Sequence, residues 1–274
     1  MKAQSSARTM TTEPAVLRET VGDIAVLTLN RPQARNTLSE AMLAALHEEF
    51  SRLAGEQRIR AAVLAANGPA FSAGHDLKEL TAHRADADGG RCYTRQIVQN
   101  CSALMLAILR LPQPVVAAVE ATATAAGCQL VATCDLAVAA TGARFCTPGV
   151  HIGLFCSTPM VALARNVARK HAMEMLLTGD MISAADAHRI GLVNRVVEPG
   201  TARAEALKLA RKIATKSAAA VKFGKEAFYR QLEMGVAAAY DYATDVMVEN
   251  MMVRDAEEGI SAFVEKREPK WDDR

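Results

Sequence analysis

Phe71-Ser-Ala-Gly-His-Asp-Leu-Lys-Glu-Leu80 and Ala123-Thr-Ala-Ala-Gly-Cys-Gln-Leu130 are the two stretches that decide the fold of this chain. Each follows an apolar run typical of a buried strand, contains small residues, and opens a helical pattern. The first backbone N–H groups of a helix have no partner within the helix and lie at the positive end of its dipole. Two such turns side by side can direct two donors at one oxygen atom, which is the arrangement of an oxyanion hole. Because small residues at such a turn also serve steric fit, either stretch alone is weak evidence.

The sequence around these stretches predicts an α/β fold. Residues 24–29 form a β-branched run that ends at Asn30-Arg-Pro32, and Ser39 caps an amphipathic helical pattern. Further strands are predicted at 59–65, 114–119 and 136–140, and a long helix at 97–108. Because strands and helices alternate through the first two thirds of the chain, we expect stacked ββα or βα units around one core.

The last third of the chain has a different character. Apart from residues 193–197 the strand signal nearly vanishes after residue 157. Helical patterns cover residues 170–177, 203–214, 218–232, 237–252 and 256–266. We therefore predict a disordered tail at 1–14, an α/β core at 15–200 and a C-terminal helical region at 201–274.

The composition excludes several classes of protein. Lys and Arg number 32 against 30 acidic residues, and this net charge of +2 does not support binding to nucleic acid or to a membrane surface. The longest apolar runs are far shorter than the roughly 20 residues of a membrane span. The first 14 residues lack the apolar segment of a secretory signal, so we expect a cytoplasmic protein, or a mitochondrial matrix protein if this short tail is a transit peptide. The six cysteines show no metal-ligand spacing, which predicts reduced core thiols and no metal site.

Four motifs in the same order as in the family give the chain a resemblance to the crotonase superfamily over about residues 15–271. They are Asn30-Arg-Pro-Gln-Ala-Arg-Asn-Thr-Leu38, Phe71-Ser-Ala-Gly-His-Asp-Leu-Lys78, Ala126-Gly-Cys-Gln-Leu130 with Cys134-Asp135, and Glu258-Gly-Ile-Ser-Ala-Phe-Val-Glu-Lys-Arg267. They resemble the family's first CoA loop, its F-S-A-G-x-D-L motif, its G-G-x-E-L…C-D segment and its closing E-G-x-x-A-F-x-E-K-R. The resemblance implies a ClpP/crotonase-like spiral of ββα units and a C-terminal helical trimerisation domain, in a homotrimer or a dimer of trimers.

The same resemblance implies an acyl-CoA thioester as the bound molecule. Its oxyanion hole would consist of the backbone N–H groups of His75 and Ala126, the second at a position where the family has a glycine. Gln129 aligns with a catalytic residue of the family. Contacts to CoA would come from Ala34, Arg35, Ala73, Lys78, Phe263 and Lys266, the last two in the same or a neighbouring subunit. CoA is then part of the substrate, and no separate cofactor is implied.

Both catalytic glutamates of the family hydratases are missing. The first aligns with Gln129 and the second with Gly149. A glutamine cannot exchange protons near neutral pH and a glycine has no side chain, whereas each general acid or base contributes about 10²- to 10⁴-fold to rate. We therefore expect weak hydration of enoyl-CoA, and a large gain from Gln129→Glu combined with Gly149→Glu.

Several functions stay open at this point. An enzyme that stabilises a thioester enolate would be an enoyl-CoA hydratase-type lyase of fatty-acid metabolism with weak activity, or would catalyse isomerisation, decarboxylation or thioester hydrolysis. A non-catalytic acyl-CoA binder would keep the fold and the CoA loops without the acids. An RNA-binding relative is disfavoured by the charge balance. Four other polar residues are candidates to replace the two missing glutamates. We expect each of them to have a structural or solvated side chain instead: His75, His151, Ser157 and Glu120.

Overall fold

Ten strands form two sheets in the structure, a computed structural model that describes residues 13–272. The strands are Val16–Val21 (β1), Ile24–Leu29 (β2), Ala61–Ala66 (β3), Ala70–Ser72 (β4), Val115–Val119 (β5), Thr122–Thr124 (β6), Leu136–Ala140 (β7), Arg144–Cys146 (β8), Ile182–Ser183 (β9) and Arg195–Val197 (β10). The predicted tail at 1–14 falls almost entirely outside the described residues.

Eleven α-helices accompany these strands within the described residues. They are Glu40–Gly55 (α1), Leu77–Ala82 (α2), Arg91–Arg110 (α3), Ala126–Thr133 (α4), Pro159–Asn166 (α5), Arg169–Thr178 (α6), Ala184–Arg189 (α7), Ala202–Ala214 (α8), Ala218–Gln231 (α9), Val236–Met251 (α10) and Arg254–Glu265 (α11). None of them combines the length and the apolar character that a membrane span requires.

The chain alternates between the two sheets. The large sheet has the order β1-β2-β3-β5-β7-β10, antiparallel only between β1 and β2, and the small sheet has the order β4-β6-β8-β9. Each of β3, β5 and β7 in the large sheet leads directly into β4, β6 or β8 of the small sheet, and helical residues follow. This repetition confirms the predicted α/β class built from ββα units.

Both faces of the large sheet are buried. Ile24 and Val26 of β2 face α8, whereas Ala25 and Leu27 face the opposite core. The strands therefore read as continuous apolar runs, as is usual for parallel sheets covered on both sides. The fully buried residues of α8 are alanines one turn apart, Ala202, Ala206 and Ala210, and larger side chains of the helix pack beside them. The division at residue 200 stays a prediction, but α8, which lies just beyond it, packs on the sheet as part of the core.

The small sheet was not predicted, and neither was β1. The strands β4, β6 and β8 are three residues long and β9 is two, so their sequences carry almost no alternation of apolar and polar residues. Parallel pairing of β4 with β6 brings Ser72 opposite Ala123, so the two turns that follow these strands leave the same edge of the sheet. The small sheet therefore positions the two stretches quoted at the outset.

A buried ion pair attaches α9 to the core. Lys225 is the one buried residue of α9, and its Nζ donates to the Asp135 carboxylate at 2.7 Å and to the carbonyl oxygens of Ile108 and Gln113. Burial lowers the pKa of Lys225, and the negative charge of Asp135 opposes this shift. Tyr229 donates to the second oxygen of the same carboxylate at 2.8 Å. The C-terminal helices thus depend on a charged group that is shielded from water.

Those helices leave much apolar surface uncovered in the single chain. No residue of α10 is buried, and Phe263 on α11 is 85% exposed. Other large apolar side chains are exposed on α9, α10 and α11: Phe228, Val236, Tyr240, Met247, Val248, Met251, Ile260 and Val264. A patch of this kind is typical of a surface that another protein chain covers.

We predict that Lys225→Met destabilises the protein by about 3–5 kcal/mol, because the Asp135 carboxylate then lacks its cation in a buried position. Urea denaturation at fixed protein concentration measures the free energy of unfolding, and hydrogen exchange reports the opening of α9. The control is Lys222→Met on the exposed side of the same helix, for which we expect a change of at most about 0.5 kcal/mol. Equal effects of the two substitutions would contradict the anchoring role.

Candidate active site

The turns after β4 and β6 pack directly against each other. A Cβ atom on Gly127 would lie 2.3 Å from the carbonyl oxygen of Ser72, a distance that real atoms do not adopt. A Cβ on Gly74, which has a φ of +82°, would lie 2.9 Å from the Cβ of Ala125 and 3.1 Å from the nitrogen of Ala126. Glycine is therefore required at both positions for the turns to meet.

The two amides that were predicted as oxyanion donors lie in these turns. Ala126 is the first residue of α4, so its N–H has no partner within the helix. His75 lies between Gly74 and Asp76, the residue that caps α2. Within residues 13–272 neither the N–H of His75 nor that of Ala126 donates a hydrogen bond. Both donors are thus available to an oxygen atom of a bound molecule.

In the turn after β6, the residue with an unusual backbone conformation is Ala125. Its φ of 51° and ψ of −120° lie in a region that favours glycine, whereas Ala126 is helical. An alanine at position 126 therefore meets no conformational obstacle, although the family has a glycine there. The backbone of Ala125 is held on both sides, because its N–H donates to Cys146 at 2.9 Å and its carbonyl accepts from Gln129 at 3.0 Å.

The loop at residues 30–38 lies beside the first of these turns. Arg35 and Asn36 are both left-handed, with φ values of 51° and 50°. The carbonyl of Arg35 accepts a hydrogen bond from the N–H of Ala73 at 3.0 Å, so the predicted CoA contacts Ala34, Arg35 and Ala73 come together. Ala34 and Arg35 are exposed there, as a contact to a bound molecule requires.

Asn36 organises this loop, and the sequence analysis missed it. Its buried side chain accepts from the N–H of Arg31 and donates to the carbonyls of Asn67 and Ala70. Its own carbonyl accepts from the hydroxyl of Ser72 at 2.8 Å. The sequence feature that points to this role is an asparagine shortly after the Asn30-Arg-Pro32 turn. Asparagine adopts left-handed conformations more readily than most residues.

The other three predicted CoA contacts are more dispersed. Lys78 is the second residue of α2 and is exposed, while its backbone N–H is occupied by the Asp76 carboxylate at 2.9 Å. Phe263 and Lys266 lie on and just after α11, which packs on α9 and α10. These two residues lie on the C-terminal helices, apart in the fold from the elements that carry the loops.

Gln129 lies one helical turn beyond Ala126 and is buried. Its side-chain oxygen has no hydrogen-bond partner within the described residues. A buried carbonyl oxygen without a donor costs about 1–3 kcal/mol, so a water or a bound molecule is expected to donate to it. The amide can orient such a donor but cannot take its proton.

Gly149 is enclosed by the segment that follows it. A Cβ at this position would lie 2.9 Å from the Cys156 sulfur and 3.0 Å from the carbonyl oxygen of Leu154. The N–H of Leu154 donates to the Gly149 carbonyl at 2.9 Å and holds the segment in place. A side chain at position 149 therefore requires the Cys156 sulfur and the Leu154 carbonyl to shift slightly. The gain of hydration from Gln129→Glu combined with Gly149→Glu stays a prediction.

Two of the polar alternatives have structural hydrogen bonds. His151 bonds through Nε2 to the carbonyl of Thr178 at 2.8 Å, so that nitrogen carries the proton and cannot act as a base. The hydroxyl of Ser157 donates to the carbonyl of Phe155 at 3.2 Å, and no base activates it.

Glu120 also has a structural role. Its carboxylate accepts from the N–H groups of Gly200 at 2.8 Å and Ala202 at 2.6 Å. A negative charge at this place stabilises the N-terminus of α8. The acid at the end of β5 thus attaches α8 to the sheet.

The His75 side chain is half-buried, and both of its ring nitrogens are shielded from solvent. Burial lowers the pKa of His75 below its usual value, so the ring is neutral at neutral pH. The backbone of His75 and its side chain consequently have different environments, one available to a ligand oxygen and the other enclosed.

Comparisons with known proteins agree with this architecture. The sequence model described as enoyl-CoA hydratase/isomerase matches residues 19–274. Rat enoyl-CoA hydratase domain-containing protein 3, mitochondrial, is 47% identical over 245 residues, which are 89% of this chain and 80% of that protein. The segments 123–131 and 153–159 predict this similarity, which is confirmed.

Solved structures give the same result. An enoyl-CoA hydratase of Mycobacterium smegmatis is 54% identical with a TM-score of 0.89, over 94% of this chain and 99% of that one. Human enoyl-CoA hydratase domain-containing protein 3 is 46% identical with a TM-score of 0.89, over 94% of this chain and all of that one. The crotonase fold expected from the motifs is confirmed.

We predict that Gly127→Ala separates the two turns, because the added Cβ meets a backbone carbonyl that cannot move alone. The expected cost is about 1–3 kcal/mol of folding free energy, together with a loss of affinity for acyl-CoA measured by calorimetry. The control is Gly142→Ala, where a Cβ meets nothing within 4 Å and φ is not positive. A Gly127→Ala protein as stable as this control would contradict the packing of the turns.

We predict that His75 makes stability depend on pH. Since the pKa of His75 is lower in the folded than in the unfolded chain, its contribution is complete above pH about 6.5 and is lost as pH falls from there through the folded pKa. The loss is at most about 1.4 kcal/mol per pH unit. Chemical denaturation between pH 5 and 8 is expected to show a shallower dependence for His75→Leu. An equal pH dependence in His75→Leu and in the wild-type protein would contradict this role of the ring.

Proposed function

The chain belongs to the enoyl-CoA hydratase/isomerase family, and we propose that it binds an acyl-CoA thioester and polarises the thioester carbonyl with the backbone amides of His75 and Ala126. The observation that carries this proposal is the pair of packed turns whose N–H groups have no partner in the described chain. Two fixed donors stabilise negative charge on the carbonyl oxygen as an enolate or a tetrahedral intermediate forms. Coenzyme A is part of the substrate, and the proposal needs no further cofactor.

Ala34, Arg35, Ala73 and Lys78 are proposed to hold the CoA part. The hydrogen bond from Ala73 to Arg35 supports a common location for the first three. The exposed cations suit phosphate groups, since each presents several N–H donors with a positive charge. Phe263 and Lys266 would join them from the same or from a neighbouring subunit.

We further propose that hydration of 2-enoyl-CoA by this chain is weak. Gln129 can orient a water but cannot accept its proton, and Gly149 has no side chain at the place of the second acid. The absence of two groups worth about 10²- to 10⁴-fold each leaves a reaction that relies on the amides. Decarboxylation of a malonyl-type acyl-CoA fits this limit best: the electrons of the broken C–C bond form an enolate that the two donors stabilise as carbon dioxide leaves, and the enolate carbon takes up a proton that comes from water. Isomerisation and thioester hydrolysis additionally need side chains that transfer protons or activate water.

A second candidate function is binding of acyl-CoA without turnover. The loss of both acids favours it, because neither Gln129 nor Gly149 offers a group that transfers a proton. Both candidates need the same CoA loops, so only measurement of products separates them.

We propose a homotrimer or a dimer of trimers as the assembly. The uncovered apolar side chains of α9, α10 and α11 support an intersubunit surface. The rat relative is named as mitochondrial, which supports the mitochondrial alternative over the cytoplasmic prediction. The net charge of +2 gives no reason to add a nucleic acid as a partner.

The proposal predicts a red shift in the absorption of a chromophoric, conjugated enoyl-CoA on binding, because hydrogen bonds to its carbonyl draw charge toward the oxygen. Ala126→Pro is expected to reduce the shift strongly, since proline removes this N–H, and circular dichroism checks that the packed turn still folds. His75→Leu keeps both amides and should keep the shift. Binding of the wild-type protein without any shift would refute the oxyanion hole.

A product analysis of the wild-type protein distinguishes an enzyme from a non-catalytic acyl-CoA binder. A panel of enoyl-, malonyl-type and saturated acyl-CoA esters is incubated with the protein and analysed by mass spectrometry for products. Turnover of one class identifies the reaction, and tight binding with no product from any ester selects the binder.

A further inference from the structure

The thiol of Cys156 lies beside position 149, where the chain has no acid. We propose that this thiol is a catalytic proton donor, which delivers its hydrogen to the α-carbon of an enolate held by the amides of His75 and Ala126. The inference rests on the proposed function, since it adds a side chain to the same site.

The segment before this thiol leaves the small sheet at the same edge as the two amide donors. The strands β4, β6 and β8 are neighbours and run parallel, so the residues that follow them meet at one edge. His75 follows β4, Ala126 follows β6 and Gly149 follows β8. The N–H of Ala125 donates to the carbonyl of Cys146 at 2.9 Å, which joins the second of these segments to the end of β8.

The sulfur of Cys156 adjoins Gly149 within that segment. A Cβ on Gly149 would lie 2.9 Å from this sulfur, so the thiol lies beside the place where a side chain at position 149 would begin. Two further thiols are close by, those of Cys128 and Cys146. They are 0% and 1% exposed, whereas Cys156 is 8% exposed. Of these three thiols, Cys156 is therefore the one best placed to meet a bound molecule.

The protonation state of Cys156 suits an acid. Burial raises the pKa of its thiol, and the backbone N–H of Gly149 opposes this shift. The thiol therefore keeps its proton at neutral pH, whereas a nucleophilic cysteine needs the thiolate. Once the proton has left, the same N–H favours the thiolate that remains.

A second group independently indicates a bound molecule at this edge. Gln129, one turn into α4, is 4% exposed, and its side-chain oxygen has no hydrogen-bond partner within residues 13–272. A buried amide oxygen is rarely left without a donor. The edge thus combines two amide donors, an acceptor and a thiol.

The proposed step is a proton transfer from sulfur to carbon. The electron pair of the enolate forms a C–H bond at the α-carbon, the S–H bond of Cys156 breaks, and the sulfur keeps its electrons as a thiolate. Water then returns a proton to the thiolate, so no oxidant or reductant is needed. In the reverse direction, the thiolate removes a proton from the α-carbon of a saturated acyl-CoA.

The test measures exchange of the α-hydrogens of butyryl-CoA with deuterium oxide, which requires no net reaction. Mass spectrometry counts the deuterium that the ester takes up in the presence of the wild-type protein. We expect Cys156→Ala to lower the exchange rate about 10²-fold or more, the contribution of one general acid or base. Cys156→Ser keeps the size of the side chain with a much weaker acid, and the same loss is expected.

The matched control is Cys128→Ala, which removes a fully buried thiol nearby and is expected to keep the wild-type exchange rate. Wild-type exchange in Cys156→Ala and Cys156→Ser overturns the role of the thiol, and so does an equal loss in Cys128→Ala. A wild-type protein that shows the red shift with the chromophoric enoyl-CoA but exchanges no hydrogen also overturns it. Binding without a red shift refutes the proposed function instead.

Discussion

The close approach of two backbone turns is the constraint on which the rest of the site depends. Gly127 lies against the carbonyl of Ser72, and Gly74 lies against the methyl of Ala125. Parallel pairing of β4 with β6 brings the turns together, and the glycines allow them to touch. The helices α2 and α4 then begin from adjacent points, so that N–H groups without partners gather at one edge of the small sheet. The loop at residues 30–38 is attached to the same edge through the hydrogen bond from the N–H of Ala73 to the carbonyl of Arg35.

Much of the framework could be predicted because its strands and helices carry a repeating pattern. The strands at 24–29 and 136–140 and the helix that begins after Ser39 agree with the structure at their ends. The small sheet could not be found in this way, since strands such as Thr122–Thr124 are too short to alternate. The ion pair between Lys225 and Asp135 could not be predicted either, because the two residues are 90 positions apart. In addition, lysine on a helix is ordinarily exposed. Tertiary contacts decide both features.

The candidate site was predictable to the extent that it consists of backbone. The motifs placed the two donors on His75 and Ala126, and the structure brings their turns together. The sequence could not show the surroundings of position 149, which aligns with the second acid of the family. The sequence shows only that Gly149 has no side chain, whereas the structure shows that a Cβ there would press on the Cys156 sulfur and the Leu154 carbonyl. The difference matters chemically, because a substituted acid at this position requires those two groups to move.

Backbone donors explain how this site can diverge without losing its central interaction. An amide N–H is the same group in histidine, alanine or glycine, so the residues at 75 and 126 are free to change as long as their backbone conformation is kept. The constraint moves to their neighbours: Gly74 and Gly127 must lack a Cβ, and Ala125 must accept a left-handed φ. Acid–base groups have no such freedom, since their chemistry resides in the side chain and ends with a single substitution to glutamine or glycine. The backbone that holds the two amides and the acid–base side chains can therefore change independently in this fold. In this chain the glycines at 74 and 127 keep the turns in contact, while positions 129 and 149 carry no acid.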